Sequence, residues 1–133
     1  MLIKKYRFVT CFKELNSNII HSEFSKNLNV DLDIAKELVA NRLDFTENKM
    51  HYLLIDYSNT QQITPEAKDY MQRSDSGLKN ILGAAFIASN PVAVLMANIF
   101  LKTQTDFPVK FFTDKTDANN WLKKLEKDGF SKQ

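Results

Sequence analysis

Four polar side chains lie close together in the sequence, between an apolar run and a helix-start signal, and their types suit acid–base or phosphate chemistry. They are Asp56, Ser58, Thr64 and Glu66. Asp56 ends the apolar run, a position where parallel sheets place catalytic groups. An enzyme would need Asp56 or Glu66 inside a pocket, with a raised pKa. We favour the simpler interpretation of Asp56, in which its carboxylate accepts amide hydrogens of the following loop.

The histidines, glycines, serines and the cysteine could also support catalysis or metal binding, but their spacing predicts neither. His21 and His51 belong to predicted strands and have no histidine or cysteine at ligand spacing, so no zinc site is expected. The three glycines form no phosphate-binding loop, and no serine stands in a nucleophile elbow. Cys11, the single cysteine, lies in a predicted strand, and we interpret it as a small buried hydrophobe rather than a nucleophile. We therefore expect no enzyme, metal or cofactor.

A repeated junction, in which a short apolar strand runs into a helix-start signal, positions these residues. The junctions are residues 51–57 into Thr64-Pro65, residues 84–89 into Asn90-Pro91, and residues 109–112 into Thr113-Asp114. The Thr and Asn side chains accept free amide hydrogens of the first helical turn, and proline is well tolerated next to them. Strands that alternate with helices predict βαβ units and a parallel sheet.

The remaining pattern completes a single α/β domain over residues 1–133. Residues 7–15 and 19–26 predict a β-hairpin, and residues 29–31 open a helix that runs to about Leu43. The closing helix carries Ala118, Trp121, Leu122 and Leu125 on one face. The predicted order is β-β-α-β-α-β-α-β-α, with helices packed on a mostly parallel central sheet.

Composition limits the partners and the location of the chain. Its 133 residues are 44% hydrophobic and 26% charged, which is typical of a soluble globular protein. The formal charge of +2 is spread along the chain without a basic stripe, so nucleic acid is not an expected partner. No apolar segment reaches the ~20 residues of a membrane span, and no signal peptide is recognised at the start. A cytoplasmic location is therefore expected.

Two segments, residues 54–58 (LIDYS) and 63–67 (ITPEA), resemble the STAS domains of the anti-sigma-factor antagonist type, which have the SpoIIAA-like fold. Members of that family carry an apolar strand ending in Asp-x-Ser, then a short loop, then an apolar residue and Asp-Ser-Ser-Gly at a helix start. Asp56 and Ser58 match the strand-end pair, and Ile63 matches the apolar residue. Together with the order of the elements, the resemblance implies a SpoIIAA-like fold.

The chain departs from this pattern at residues 64–67, where Thr-Pro-Glu-Ala stands in place of Asp-Ser-Ser-Gly. Glu66 occupies the position of the serine that is phosphorylated in antagonists, so the phosphate switch is missing or fixed in the charged state. A carboxylate in the first helical turn is favourable because it faces the positive end of the helix dipole. Thr64 offers a hydroxyl to a kinase, although we favour its role as the N-cap. Later segments, including residues 87–91 and 118–122, look like a bacterial branch of SpoIIAA-like proteins, for which the resemblance supplies no activity.

The predicted helix over residues 91–102 is apolar around most of its circumference, whereas a helix lying on a sheet needs only an apolar stripe. Burying each large apolar side chain is worth about 1.5–3 kcal/mol, so a covering group is expected. Flanking elements, a second copy or protein partner, and an enclosed apolar ligand are the three alternatives. The residues assigned to this patch are Met96, Phe100, Leu101 and Phe111.

The preferred hypothesis is a non-catalytic interaction module that binds another protein through Asp56, Ser58, Thr64 and Glu66, on the loop over residues 58–66 and the helix that this loop opens. A homodimer would form through the apolar helix over residues 91–102. The alternative is a binding protein for a small apolar or lipid-like ligand held at the patch that includes Met96.

Overall fold

The computed structural model describes residues 1–87, 91, 94 and 106–131, and in this range eight strands and three helices form. Apart from Pro91 and Val94, the helix predicted over residues 91–102 lies outside the described residues. The elements in chain order are β1 Leu2–Lys5, β2 Val9–Lys13, β3 Ile19–Phe24, β4 Leu28–Val30, α1 Leu32–Phe45, β5 His51–Asp56, β6 Thr60–Ile63, α2 Pro65–Met71, β7 Ile81–Ile87, β8 Val109–Phe112 and α3 Lys115–Ser131.

Six of the strands form one mixed sheet in the order β1-β2-β3-β5-β7-β8. The pairs β1–β2 and β2–β3 are antiparallel, whereas β3–β5, β5–β7 and β7–β8 are parallel. Within the described residues β1 is one edge of this sheet, and all four of its residues are exposed. A second, two-stranded sheet pairs β4 with β6 in parallel.

The predicted α/β class and the mostly parallel centre of the sheet agree with this architecture, but the predicted order of the elements is wrong in three places. Strand β1 precedes the hairpin, and β4 and β6 form the additional small sheet. Each of these strands has only three or four residues, and β6 is largely polar, so none has an extended apolar alternation. Helix α1 begins at Leu32 after the N-cap Asp31, which lies within the predicted start at residues 29–31, and the residues just before this cap form β4.

Helices cover both faces of the central sheet, which explains the continuous apolar run of β5. On one face, side chains such as Leu53 and Phe86 pack in a core shared with α1 and α2. On the other face, Leu54 and Ala85 pack against α3. A parallel strand that is buried on both sides has no polar face, and all of β5 except Asp56 is buried.

Candidate functional site

Asp56 is the last residue of β5, and its carboxylate organises the turn that follows. Its Oδ1 accepts a hydrogen bond from the Ser58 amide at 2.9 Å and another from the Ser58 hydroxyl at 2.5 Å. This is the local arrangement that the simpler interpretation of Asp56 predicts. The carboxylate therefore holds the strand end and the turn in one conformation.

The segment between Ser58 and Thr64 contains the paired strand β6 rather than a loop alone. Backbone bonds connect the Leu28 amide to the Asn59 carbonyl at 3.0 Å and the Thr64 amide to the Val30 carbonyl at 2.9 Å. The Asn59 side-chain amide also donates to the Phe24 carbonyl at 3.2 Å. Because β6 is tied to β4 in this way, the start of α2 has a fixed position beside α1.

Thr64 is the N-cap of α2. Its backbone is extended, and its hydroxyl oxygen accepts the Ala67 amide at 3.2 Å, while Pro65 takes the first helical position. The predicted capping role is present in the structure, so the Thr64 hydroxyl is already engaged within the chain. Glu66 follows in the first turn and is exposed.

Replacing Thr64 with alanine should lower the free energy of unfolding by about 1 kcal/mol, because the Ala67 amide would lose its acceptor. Urea unfolding followed by circular dichroism measures this difference. Thr64→Ser is the matched control, since it keeps the hydroxyl, and we expect it to retain most of the stability. Equal losses in the two variants would contradict the capping role.

Glu66 lies on the rim of a groove of about 410 Å³ between α1 and α2, which we call the α1–α2 groove. It is lined by Leu32, Lys36, Glu66, Asp69, Tyr70, Arg73 and Ser76. Acidic side chains on α2 oppose Lys36 on α1, and Arg73 follows at the end of α2. The structure thus brings Glu66 to a concave surface with charges of both signs, whereas Thr64 caps the start of α2 and does not line the groove.

Of the four residues assigned to the predicted apolar patch, the structure describes only Phe111. Met96, Phe100 and Leu101 lie outside the described residues. Phe111 is half-buried and stacks on Phe86 with ring centroids 5.2 Å apart. Phe111 and Phe112 also line an open depression of about 320 Å³ together with Thr113 and Asp117.

The buried titratable groups outside the predicted site include one arginine, one cysteine and one histidine. Arg42 is 6% exposed and donates from its guanidinium to the carbonyls of Gly77 at 3.0 Å and Lys79 at 2.9 Å. Burial lowers the pKa of Arg42 to about 10. Arg42 follows Leu38 by four residues, so helical periodicity could have indicated that it faces inward. The other two groups are Cys11 and His51.

Cys11 and His51 are both fully buried. Burial raises the pKa of the Cys11 thiol to about 11, which keeps it protonated and unreactive, in agreement with its interpretation as a small hydrophobe. Burial also lowers the pKa of His51 to about 4. Within the described ranges, no three His, Cys, Asp or Glu side chains come together as a metal site. No described helix is long and apolar enough to cross a membrane.

The described fold is a mixed sheet of six strands with helices on both faces. A solved structure that matches it is an uncharacterized protein of the DUF3478 family from Shewanella loihica PV-4, which has a SpoIIAA-like fold. The match has a TM-score of 0.59 and 20% sequence identity, over 86% of this chain and 91% of that one. The SpoIIAA-like fold expected from the sequence is therefore confirmed.

The chain belongs to the DUF7793 family, a domain of unknown function whose model matches residues 13–126. No curated protein matches the chain.

Proposed function

We propose that this protein is a non-catalytic regulatory module that binds another protein through the α1–α2 groove and the turn at Asp56 and Ser58. The observation that carries the proposal is the exposed carboxylate of Glu66, in the first turn of α2 and on the rim of that groove. A concave surface beside a fixed helix start offers shape and charge to a partner. A cytoplasmic location, and a second copy of the chain as one such partner, belong to the same proposal.

Glu66 gives this surface a permanent negative charge. In the STAS domains that the sequence resembles, a phosphorylated serine at this position switches partner affinity by adding charge at a helix start. A glutamate carries charge without a kinase and is stabilised by the positive end of the α2 dipole. We therefore propose that partner binding here does not depend on phosphorylation of residue 66.

The contacts of the two carboxylates support a binding role rather than a catalytic one. Asp56 accepts two hydrogen bonds from Ser58, which hold the carboxylate at the turn. Glu66 is exposed on an open groove, where water surrounds its carboxylate. General acid–base catalysis requires a carboxylate positioned against the substrate, whereas Asp56 already accepts two hydrogen bonds within the chain and Glu66 faces water.

Reversing the two carboxylate charges of the groove should abolish partner capture. We expect proteins retained from native lysate by the wild-type chain to be lost by the double variant Glu66→Lys and Asp69→Lys, because both exposed carboxylates line the groove. The matched control is Glu14→Lys and Glu47→Lys, which makes the same charge change at exposed sites away from the groove. Captured proteins are identified by mass spectrometry after washes at several salt concentrations.

Partners that the wild type and the control retain, and the groove variant loses, would support the proposal. Binding should weaken as salt rises, because charges at an exposed rim are screened. Recovery of the bait alone at every salt concentration would contradict it, and so would capture that is unchanged in the groove variant. Circular dichroism confirms that all variants are folded.

A second candidate function is the binding of a small apolar or lipid-like ligand. The depression beside Phe111 and Phe112 favours it, since two aromatic side chains line an open concave surface there. Native mass spectrometry of freshly purified protein should then show a bound mass. A clean mass of the protein alone would eliminate this candidate.

A further inference from the structure

Four lysines from distant parts of the sequence surround one cleft of about 710 Å³, which we call the lysine cleft. Lys13 ends β2, Lys49 precedes β5, and Lys123 and Lys127 lie one turn apart on α3. The lysine cleft lies at the amino-terminal end of β5, whereas Asp56 lies at its carboxyl end. The two sites are therefore separated by the length of the strand, about 17 Å.

Among the described residues, Glu126 is the single carboxylate that lines the lysine cleft. The turn between β2 and β3 holds this carboxylate in place. Its Oε2 accepts the Asn18 backbone amide at 2.6 Å, and its Oε1 accepts the Ser17 hydroxyl at 3.3 Å. The Asn18 side chain in turn donates to the Met50 carbonyl at 2.6 Å. These bonds tie α3, the β2–β3 turn and the loop before β5 together, so the walls of the cleft have fixed positions.

The lysines of the cleft have little compensating charge. In the part of the chain that the structure describes, Lys13, Lys123 and Lys127 form no ion pair. Lys49 lies 3.8 Å from Glu47, with both side chains at least 75% exposed, and such a pair contributes little. Ammonium groups that converge on a concave surface attract an anion.

Apolar side chains stand beside these charges. Leu15 is 67% exposed and Met50 is 49% exposed, and both line the lysine cleft. Large apolar side chains that stay in water next to a fixed concavity are typical of a binding surface. The volume of the cleft lies within the range of sites for small organic ligands, roughly 300–1,000 Å³.

We propose that the lysine cleft binds a small amphipathic anion, namely a phosphate or carboxylate head on an apolar chain. The head group is held by the lysines, of which Lys123 and Lys127 share one face of α3, and the apolar chain lies against Leu15 and Met50. This site is separate from the α1–α2 groove and does not depend on the protein-binding role proposed above.

Titration of the full chain with octyl phosphate, kept below its micelle concentration, tests the proposal by calorimetry. We expect saturable binding that Lys123→Glu weakens at least tenfold, whereas the adjacent Lys124→Glu changes it less than twofold. Lys124 is the matched control because it is exposed on the same helix but does not line the cleft. Leu15→Ser should weaken binding at least threefold, and octanol, which lacks the anionic head, should bind at least tenfold more weakly.

Amide shifts in an NMR titration locate the ligand, and we expect them at residues 16–18 and in the second half of α3. The absence of binding to octyl phosphate would overturn the proposal, as would equal effects of Lys123→Glu and Lys124→Glu or equal affinity for octanol.

A further experiment measures binding to vesicles that contain anionic lipid. Binding to vesicles without binding to monomeric octyl phosphate would identify a membrane surface instead and overturn the small-ligand proposal. Retention of binding by Glu66→Lys shows that the two sites are independent.

Discussion

Lowering the pH from about 6.5 to about 4 should remove about 3 kcal/mol from the free energy of unfolding, because His51 must stay neutral in the folded protein. The ring is fully buried, and burial lowers its pKa from 6.5 to about 4. Its Nδ1 lies 2.9 Å from the Lys49 carbonyl, which only accepts, so Nδ1 carries the proton of the neutral ring. The nearby Arg42 charge also disfavours protonation.

The sign follows from the proton balance between the two states. Between pH 6.5 and 4 the unfolded chain binds a proton at residue 51 that the folded chain does not, so stability falls as the pH falls. Above about pH 6.5 both states are neutral at this residue, and its contribution is constant. The pKa of His21 is also lowered by burial, so its contribution has the same sign.

Denaturant unfolding at a series of pH values measures this effect, with His51→Asn as the comparison. Asparagine keeps a side-chain amide for the Lys49 carbonyl but does not titrate, so we expect a less stable variant with a much flatter pH dependence. His21→Asn separates the contribution of the second ring. An unchanged slope in His51→Asn would contradict the assignment to His51.

Replacing Phe86 with alanine should cost about 3–5 kcal/mol of folding stability, because it leaves a cavity at the centre of one face of the sheet. Phe86 is 2% exposed, and its ring lies 5.6 Å from Tyr57 and 5.2 Å from Phe111, measured between centroids. The substitution therefore removes the middle ring of three.

Phe86→Leu is the control for this core position, since it keeps most of the apolar volume and should cost about 1.5 kcal/mol or less. Equilibrium unfolding in urea gives both differences. Similar losses for the two variants would contradict a cavity effect, and a loss below 1 kcal/mol in Phe86→Ala would show that the site collapses around the smaller side chain.

Sequence alone could predict the features that depend on neighbouring residues. Thr64 followed by Pro65 is a local capping signal, and the structure contains the cap. The run from Tyr52 to Ile55 is apolar at every position, and such a run indicates a strand covered on both faces. Glu66 could be placed in the first turn of a helix for the same local reason.

The features that were missed depend on contacts between distant segments. Strands β4 and β6 have three and four residues, and their pairing stabilises them rather than any apolar period of their own. The lysine cleft is a similar case. Lys13, Lys49 and Lys123 are far apart in the sequence, where the charge looks evenly spread, and only the fold brings them together.

The edge strand β1 has a consequence for how copies of the chain meet. Among the described residues one side of β1 has no neighbouring strand, and its backbone donors and acceptors could recruit a strand from another molecule into a growing ribbon. Two of its four residues are lysines, of which Lys4 pairs with Asp44 at 3.0 Å, so Lys5 is the charge that a second copy meets at this edge. A lysine on an edge strand disfavours pairing with another strand, so we expect Lys5 to oppose open-ended polymerisation of the sheet.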